Sequence, residues 1–365
     1  MFKTKIITIV YLLIFPFYNA LASATNNSSK EQLNISSPSS NEFTVGGVFL
    51  RPSGSNDYAV LVNPFNPSVP TPILSPSWAT KSINPGFTPG LLLNYRHVFS
   101  NSDNDINLYW VHLSTSDSDN TLANTSAPPY QQMTGPIWNI GPDAAPTSRA
   151  NGQMNNNYDV FNLEFGKHVA FGQNLQSRIF TGLSGLWLEH KIKGSFGGTD
   201  PILGPYTFNI TTDAKYHAAG LRLGVDGEYE AINHFSIVGL FAADLYLGSQ
   251  QPSTTTTGTG SILTAGGIAV NNQSISHSNY IQLVPAIDAK LGLKFSHEYA
   301  GNNLFAVEAG YMASIYVNAI QNYVPSSYSP GSLGIVSGSV YLQSLLKSTD
   351  SFALDGPYIQ FTLKM

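Results

Sequence analysis

The sequence predicts an all-β chain, a transmembrane antiparallel β-barrel of about ten strands with twelve as the alternative. Three observations lead there. Only 11% of the 365 residues are charged, against roughly a quarter in ordinary soluble domains, while 32 Gly, 19 Tyr and 20 Phe are present. Apolar and polar residues alternate with period two over many segments, as strands with two unlike faces require. The connections between those segments alternate long and short, which is how barrels sort long outer loops from short periplasmic turns. A soluble sandwich spaces its turns more evenly.

The first element is residues 1–22. Lys3 and Lys5 precede an apolar run from Ile6 to Phe17, and Ala20-Leu21-Ala22 offers small residues for cleavage, the three parts of a secretory signal peptide. The run is shorter than the roughly 20 residues of a spanning helix, so export with cleavage near Ala22 is expected. Loss of Lys3 and Lys5 takes 17 Lys and Arg to 15 against 22 Asp and Glu, a net charge of −7. Residues 23–40 are polar and poor in apolar groups, and read as a disordered leader. The barrel then occupies 41–365. No spanning helix is expected within it, because the best candidate, Phe235 to Leu247, is interrupted by Asp244.

The expected strands lie near 41–51, 89–99, 105–115, 157–170, 174–192, 213–230, 234–248, 279–297, 303–319 and 353–365. Parity supports them. In 157–170, Phe161, Leu163, Phe165 and Val169 oppose Asn162, Glu164 and His168. In 213–230, Ala219, Leu221, Leu223, Val225 and Tyr229 oppose Arg222, Asp226 and Glu228. In 279–297, Ile281, Leu283, Ile287, Leu291, Leu293 and Phe295 oppose Asp288, Lys290 and Lys294. In 303–319, Phe305, Val307, Ala309, Tyr311 and Ile315 oppose Glu308 and Ser314. Pro285 lacks an N–H for the ladder, so a local bulge is expected there. The last segment puts Ile359, Phe361, Leu363 and Met365 on one face, which suits closure against the first strand.

Long loops then fall at 52–88, 116–156, 193–212, 249–278 and 320–352. Phe99, Phe171, Tyr229, Phe235, Phe295, Tyr299 and Phe305 flank the short turns, where an aromatic girdle is expected. Gly334 to Gln343 could supply part of another hairpin and raise the count to twelve. Loop 116–154, with Trp138, could fold inward as a constriction or lid.

Three strings, Gly220-Leu-Arg-Leu-Gly-Val-Asp-Gly-Glu-Tyr229, Phe235-Ser-Ile-Val-Gly-Leu-Phe-Ala-Ala-Asp-Leu-Tyr-Leu-Gly248 and Val284-Pro-Ala-Ile-Asp-Ala-Lys-Leu-Gly292, resemble the Legionella-type major outer membrane protein family, described as pore-forming. The resemblance is firmest over residues 155–320. It implies a porin-type barrel in the bacterial outer membrane. Members of that family cross-link through cysteine, and this chain has none, so any homo-oligomer forms without disulfides.

Parity directs Arg96, Glu164, Arg178, Arg222, Asp226, Glu228, Asp244, Asp288, Lys290, Lys294 and Glu308 into the lumen as pore-lining residues. One reading is a hydrated path whose charges bias ion passage; the other is a salt-bridged plug. About 8 strands give a filled interior and 16 to 18 an aqueous channel, so ten lie nearer the filled end. The expected function is passive passage of small hydrophilic solutes or ions. The alternative is a plugged structural or adhesive barrel, and the third reading is a surface protease. For the last, Asp117 and Asp119 with Asp213 and His217 resemble the acidic pair and Asp-His dyad of ten-stranded omptin proteases, although the spacing of Asp213 and His217 departs from that family's tight pair.

Other classes find no support. A net charge of −5 gives no basic footprint for nucleic acid. The eight His have no metal-ligand spacing, no cofactor motif occurs, and Gly258-Thr-Gly260 lacks the strand and helix of a phosphate loop. Asn124, Asn209 and Asn272 match the glycosylation pattern by chance in polar loops. The expected partners are outer-membrane lipid, the solutes themselves, and a surface ligand on outer loops such as Ser253–Thr257.

Overall fold

A computed structural model of the chain describes residues 39–62, 78–100, 102–124, 133–135, 147–172, 174–200, 204–260, 273–299, 303–328 and 343–365. The signal segment, most of the polar leader, Trp138, Asn272 and most of Gly334 to Gln343 lie outside the described residues.

Fourteen strands are described: β1 (Ser40–Ser53), β2 (Asp57–Val62), β3 (Trp78–Ser82), β4 (Thr88–Val98), β5 (Asn104–Leu122), β6 (Met133–Gly135), β7 (Arg149–Phe171), β8 (Leu175–Asp200), β9 (Gly204–Ile232), β10 (Phe235–Thr259), β11 (Gln273–Ser276), β12 (Tyr280–Tyr299), β13 (Asn303–Tyr328) and β14 (Gln343–Lys364). Ten of them close a ring in the order β1-β4-β5-β7-β8-β9-β10-β12-β13-β14 and back to β1, every neighbouring pair antiparallel. The seal lies where Asn41 and Met365 exchange backbone hydrogen bonds of 2.8 and 2.9 Å. A closed antiparallel ring with an apolar exterior is a transmembrane β-barrel. Strand β11 pairs with β10 and prolongs the track of β12. Strands β2, β3 and β6 form a separate three-stranded sheet.

The faces follow the parity of the sequence. Phe161, Leu183, Leu221, Leu223, Phe241, Leu245, Leu291 and Leu293 point outward and form an apolar band, while their alternates are buried or half-buried inside. Phe99, Tyr229, Phe235, Phe295, Tyr299 and Phe305 are exposed beside the short turns; Phe171 is half-buried. Two of those turns use a left-handed backbone, at Gly172 (φ 73°) and His234 (φ 73°). Gly292 and Gly310 face each other across β12 and β13 because a Cβ on either would run into the Tyr358 phenol.

Three expectations need correction. Strands β5 and β7 to β10 run well past the apolar band, so Asp117, Asp119, Asn209 and Ser253–Thr257 lie in ladders rather than loops. Long strands cost nothing beyond the membrane provided their inner faces have something to pack on, and here they do. The leader is also shorter by a residue, since Ser40 already pairs with Val98. Finally, Pro285 carries no bulge. The β10–β12 register runs unbroken through Leu245 and Pro285, and the β12–β13 ladder begins only at Ala286 and Tyr316. The irregularity sits instead in β13, between Tyr316 and Ile320, where Asn318 has φ 61°.

The band assigns Leu291, 65% exposed on the outer wall, to the lipid face. Leu291→Arg is expected to cost about 2–4 kcal/mol if the residue lies near the bilayer midplane, read from reversible urea titration in liposomes. Stability equal to the unsubstituted chain would contradict the assignment.

Candidate functional site in the barrel lumen

The lumen is built in layers, beginning at the short-turn end with charge. Arg178 of β8 is 1% exposed and sends Nε and Nη2 to Asp105 of β5 at 2.8 to 3.0 Å, and Nη1 to Glu164 of β7 and Asp226 of β9 at 3.0 Å each. Arg222 of β9 meets the other oxygen of Glu164 at 3.1 Å, and Asp244 of β10 and Asp288 of β12 at 2.6 Å. The Phe180 ring lies against both guanidinium groups, 4.8 and 5.8 Å from their centres. Two planar cations thus tie six neighbouring strands, each carboxylate delivered by one parity of its strand. A planar fork suits this role because it reaches several carboxylates at once.

The adjoining strands β12 and β13 use lysine. Lys290 meets Glu308 at 2.7 Å and lies 4.5 Å from the Tyr358 ring centre, and Tyr358 and Gln360 also donate to Glu308. Lys294 meets Glu228 at 2.6 Å. Arg96 stands 3.7 Å from both Glu42 and Asp226. All eleven residues assigned to the lumen from parity therefore face inward and are ion-paired. Asp105 and Glu42 were missed, although Ile106, Leu108 and Trp110 opposite Asp105, Asn107 and Tyr109 carry the same alternation one strand earlier.

Beside these clusters is a chamber of about 180 Å³ lined by both signs of charge, with Tyr109, Val111, Tyr158 and Val160 also in its lining. Asn94 Oδ1, Asn107 Oδ1 and Arg96 Nε have no partner among the described residues and belong to side chains lining it. A space of this size with unpaired polar groups holds water.

Beyond the chamber the lumen is filled mainly by aromatic and aliphatic side chains. The Tyr158 and Tyr316 hydroxyls hydrogen-bond at 2.5 Å with ring centres 5.8 Å apart, and Tyr246 and Phe352 pack on the same pair. Strands β7 and β13 are five steps apart in the ring by either route, so this bond crosses the full diameter. Leu50, Leu92, Val111, Leu113, Leu186, Leu188, Val284 and Leu354 fill the space around it.

The far end is capped by the β2-β3-β6 sheet. Tyr58, Ala59 and Ile83 pack on Ala150, Met154, Ile192, Phe196, Tyr206, Phe208 and Ile210 of the wall. The Tyr58 hydroxyl bonds Thr121 at 2.8 Å and Asp119 at 3.0 Å, and Gly152 leaves room for its ring. His190 fastens the same region, with Nδ1 at 2.6 Å from Asn156 Oδ1 and Nε2 at 3.2 Å from the Ser55 carbonyl. The inward segment predicted from the sequence was 116–154; the larger part of the described cap comes from the first long connection, which carries no periodic signal.

The protease constellation does not assemble. Asp117 and Asp119 lie on the inner parity of β5, whereas Asp213 and His217 lie on the outer parity of β9, so the wall separates them. Asp213 instead meets Lys215 at 3.6 Å. Among the described residues no group of three His, Asp or Glu side chains could hold a metal ion.

A protein-family model described as Legionella pneumophila major outer membrane protein precursor matches residues 36–365. No curated protein matches the chain. Among solved structures it is similar to the outer membrane protease OmpT from Escherichia coli, at 10% identity over 92% of this chain and 98% of that one with a TM-score of 0.37. It is also similar to a Pseudomonas aeruginosa FadL homologue, at 6% identity over 90% of each chain with a TM-score of 0.24. The Pseudomonas putida toluene transporter TodX follows at 7% identity over 90% of each chain, with a TM-score of 0.22. The barrel assignment rests on the closed ring itself.

Two outcomes follow from this interior. Arg178→Met leaves Asp105 and Glu164 buried with a cation removed, and is expected to destabilise the folded barrel by about 3–5 kcal/mol, measured by urea titration; an unchanged midpoint would show that the cluster is dispensable. The second concerns acid. Glu189 and Lys191, on the outer parity either side of His190, lie beyond the apolar band, so this imidazole sits outside the membrane-spanning part. Burial pushes it down to about 4 from an ordinary 6.5, against smaller raising effects of the Ser55 carbonyl and Asp350. An open cap therefore binds the proton more readily than a closed one. Closure is fully favoured above pH 6.5, and weakens as pH falls toward 4 by on the order of 3 kcal/mol in all. Protease accessibility of the cap should rise over that interval and be flattened by His190→Gln. An equally steep profile in the variant would assign the effect elsewhere.

Proposed function

We propose, from the premise that the chain belongs to the Legionella pneumophila major outer membrane protein family, that it is a porin-type barrel of the outer membrane, shut in this conformation. In this reading the short turns lie in the periplasm and the cap faces outward. Small hydrophilic solutes or ions share the charge-lined chamber, and the aromatic layer is the closed gate. The observation that carries the reading is the chamber. Its polar lining, with the eleven paired residues from Arg96 to Glu308 in and around it, gives the barrel a water-bearing interior on one side of the Tyr158–Tyr316 pair. Ions entering it meet both signs of charge in its lining, which lowers the cost of leaving bulk water for either sign.

A second reading, a permanently plugged structural or surface-adhesive barrel, is favoured by the continuity of aliphatic packing from the Tyr158–Tyr316 pair up toward the cap. The two separate in one experiment. The refolded chain in a planar bilayer is expected to give rare, small current steps. Tyr158→Ala with Tyr316→Ala removes the bond across the diameter, and should increase step frequency and size at least severalfold while leaving the barrel folded by heat-modified gel mobility. A folded and inserted double variant that stays silent would overturn the gated pore in favour of the plugged barrel.

A further inference from the structure

Just beyond the apolar band, the outer face of β8 and β9 changes character within two register steps. Trp187, half-exposed, is the last large apolar side chain on the outer parity of β8 and stands opposite His217. The next outward levels are Glu189 opposite Lys215, Lys191 opposite Asp213, and Lys193 opposite Thr211. Alternate residues on a strand are about 6.8 Å apart and strands about 4.8 Å, so three ammonium groups are gathered on a small area. Lys215 is held by Glu189 at 2.7 Å and Asp213 at 3.6 Å. Lys191 and Lys193 have no carboxylate within 4 Å among the described residues. On the other side of β8 the levels of Glu189, Lys191 and Lys193 are matched by Asn157, Asn155 and Gln153 of β7, uncharged amides able to donate and accept.

This placement is unusual in an acidic chain of net charge −5, in which every cation of the lumen is ion-paired. Two lysines without a carboxylate partner lie two and three pleat repeats beyond a tryptophan, about 14 and 20 Å along the strand, and so face the headgroup layer, since Trp marks the boundary between hydrocarbon and headgroups. Flexible ammonium groups satisfy a phosphate as point charges, and the neighbouring amides suit sugar hydroxyls. We propose that Lys191 and Lys193, with the Asn155 and Gln153 amides, form a binding site for the phosphorylated glycolipid of the outer leaflet. Its biological placement rests on the orientation given under Proposed function; the site itself does not depend on the lumen being a gated pore.

The test uses the full mature chain refolded in detergent micelles, with lipopolysaccharide, the same glycolipid enzymatically dephosphorylated, and inorganic phosphate as probes. Tighter binding of lipopolysaccharide than of the dephosphorylated form is expected. The difference should shrink about tenfold in Lys191→Ala/Lys193→Ala and be unchanged in Lys81→Ala, a lysine on another element. Weakening with added salt would accompany it. Equal binding of the two glycolipids, or a double variant with unaltered discrimination, would overturn the site. Inorganic phosphate competing at the same concentration as lipopolysaccharide would reduce it to a free-phosphate site and overturn the lipid assignment. Gel mobility confirms that the variants fold, and an epitope placed between Asp200 and Gly204 reads orientation in intact cells, so a wrong orientation is told apart from an absent site.

Discussion

Everything in this molecule follows from one requirement: within hydrocarbon no water is available to a backbone N–H or C=O, so each must find its partner in the protein. The closed ring of ten strands answers it, with no sheet edge left in the apolar band. Closure then creates a second problem on the inside. A ring of this size is too wide to be left empty at no cost and too narrow for a broad channel, so the inner parity of each strand must carry groups that fill or hydrate the space. Phe180 between Arg178 and Arg222, and Tyr158 meeting Tyr316, are the two forms the filling takes.

The wall itself departs from the rule at one place, and shows what the rule demands. Above Ala286 and Tyr316 the β12–β13 ladder stops. Side chains then do what backbone does elsewhere: Gln282 Nε2 donates to the Asn318 carbonyl at 2.8 Å, Gln250 Nε2 to the Ala319 carbonyl at 2.5 Å, and Thr254 to the Tyr323 carbonyl at 3.0 Å. Gln250 is fully buried in doing so. A proline on one strand and a left-handed asparagine on the other are thus accommodated by amides reaching across, since an unpaired buried carbonyl would cost about 1–3 kcal/mol.

The ring strands and the inward set of charges were legible because period two is a strict geometric signature, and a lipid-facing surface punishes any charge on the wrong parity. Asp244 in an otherwise apolar run and Glu164 among phenylalanines could be directed inward on that ground alone. Strand length was not legible. Once a strand leaves the bilayer its outer face is free to be polar too, so Asn155, Lys191 and Thr255 no longer contrast with their neighbours and ladder looks like loop. The cap was invisible for a related reason. Tyr58, Ala59 and Ile83 come from short segments whose burial depends on contacts with Ala150 and Phe208, far along the chain and unmarked by any local pattern. Likewise no periodicity says that Tyr158 and Tyr316 meet; that follows from the ring having four strands on each side between theirs.

The seal between β1 and β14 joins residues at opposite ends of the described chain, Asn41 to Met365 and Glu42 to Lys364. Each of the other nine neighbouring pairs in the ring joins strands that follow one another along the ring's chain order, and can form as a hairpin at smaller entropic cost. The seam has no such shortcut, and the entropy of bringing distant segments together grows with the length between them. Until it zips, β1 and β14 each expose an unpaired edge that lipid cannot satisfy. Insertion is therefore tied to the last strand: the sheet can curl in stages, but it becomes a bilayer-compatible object in a single final step.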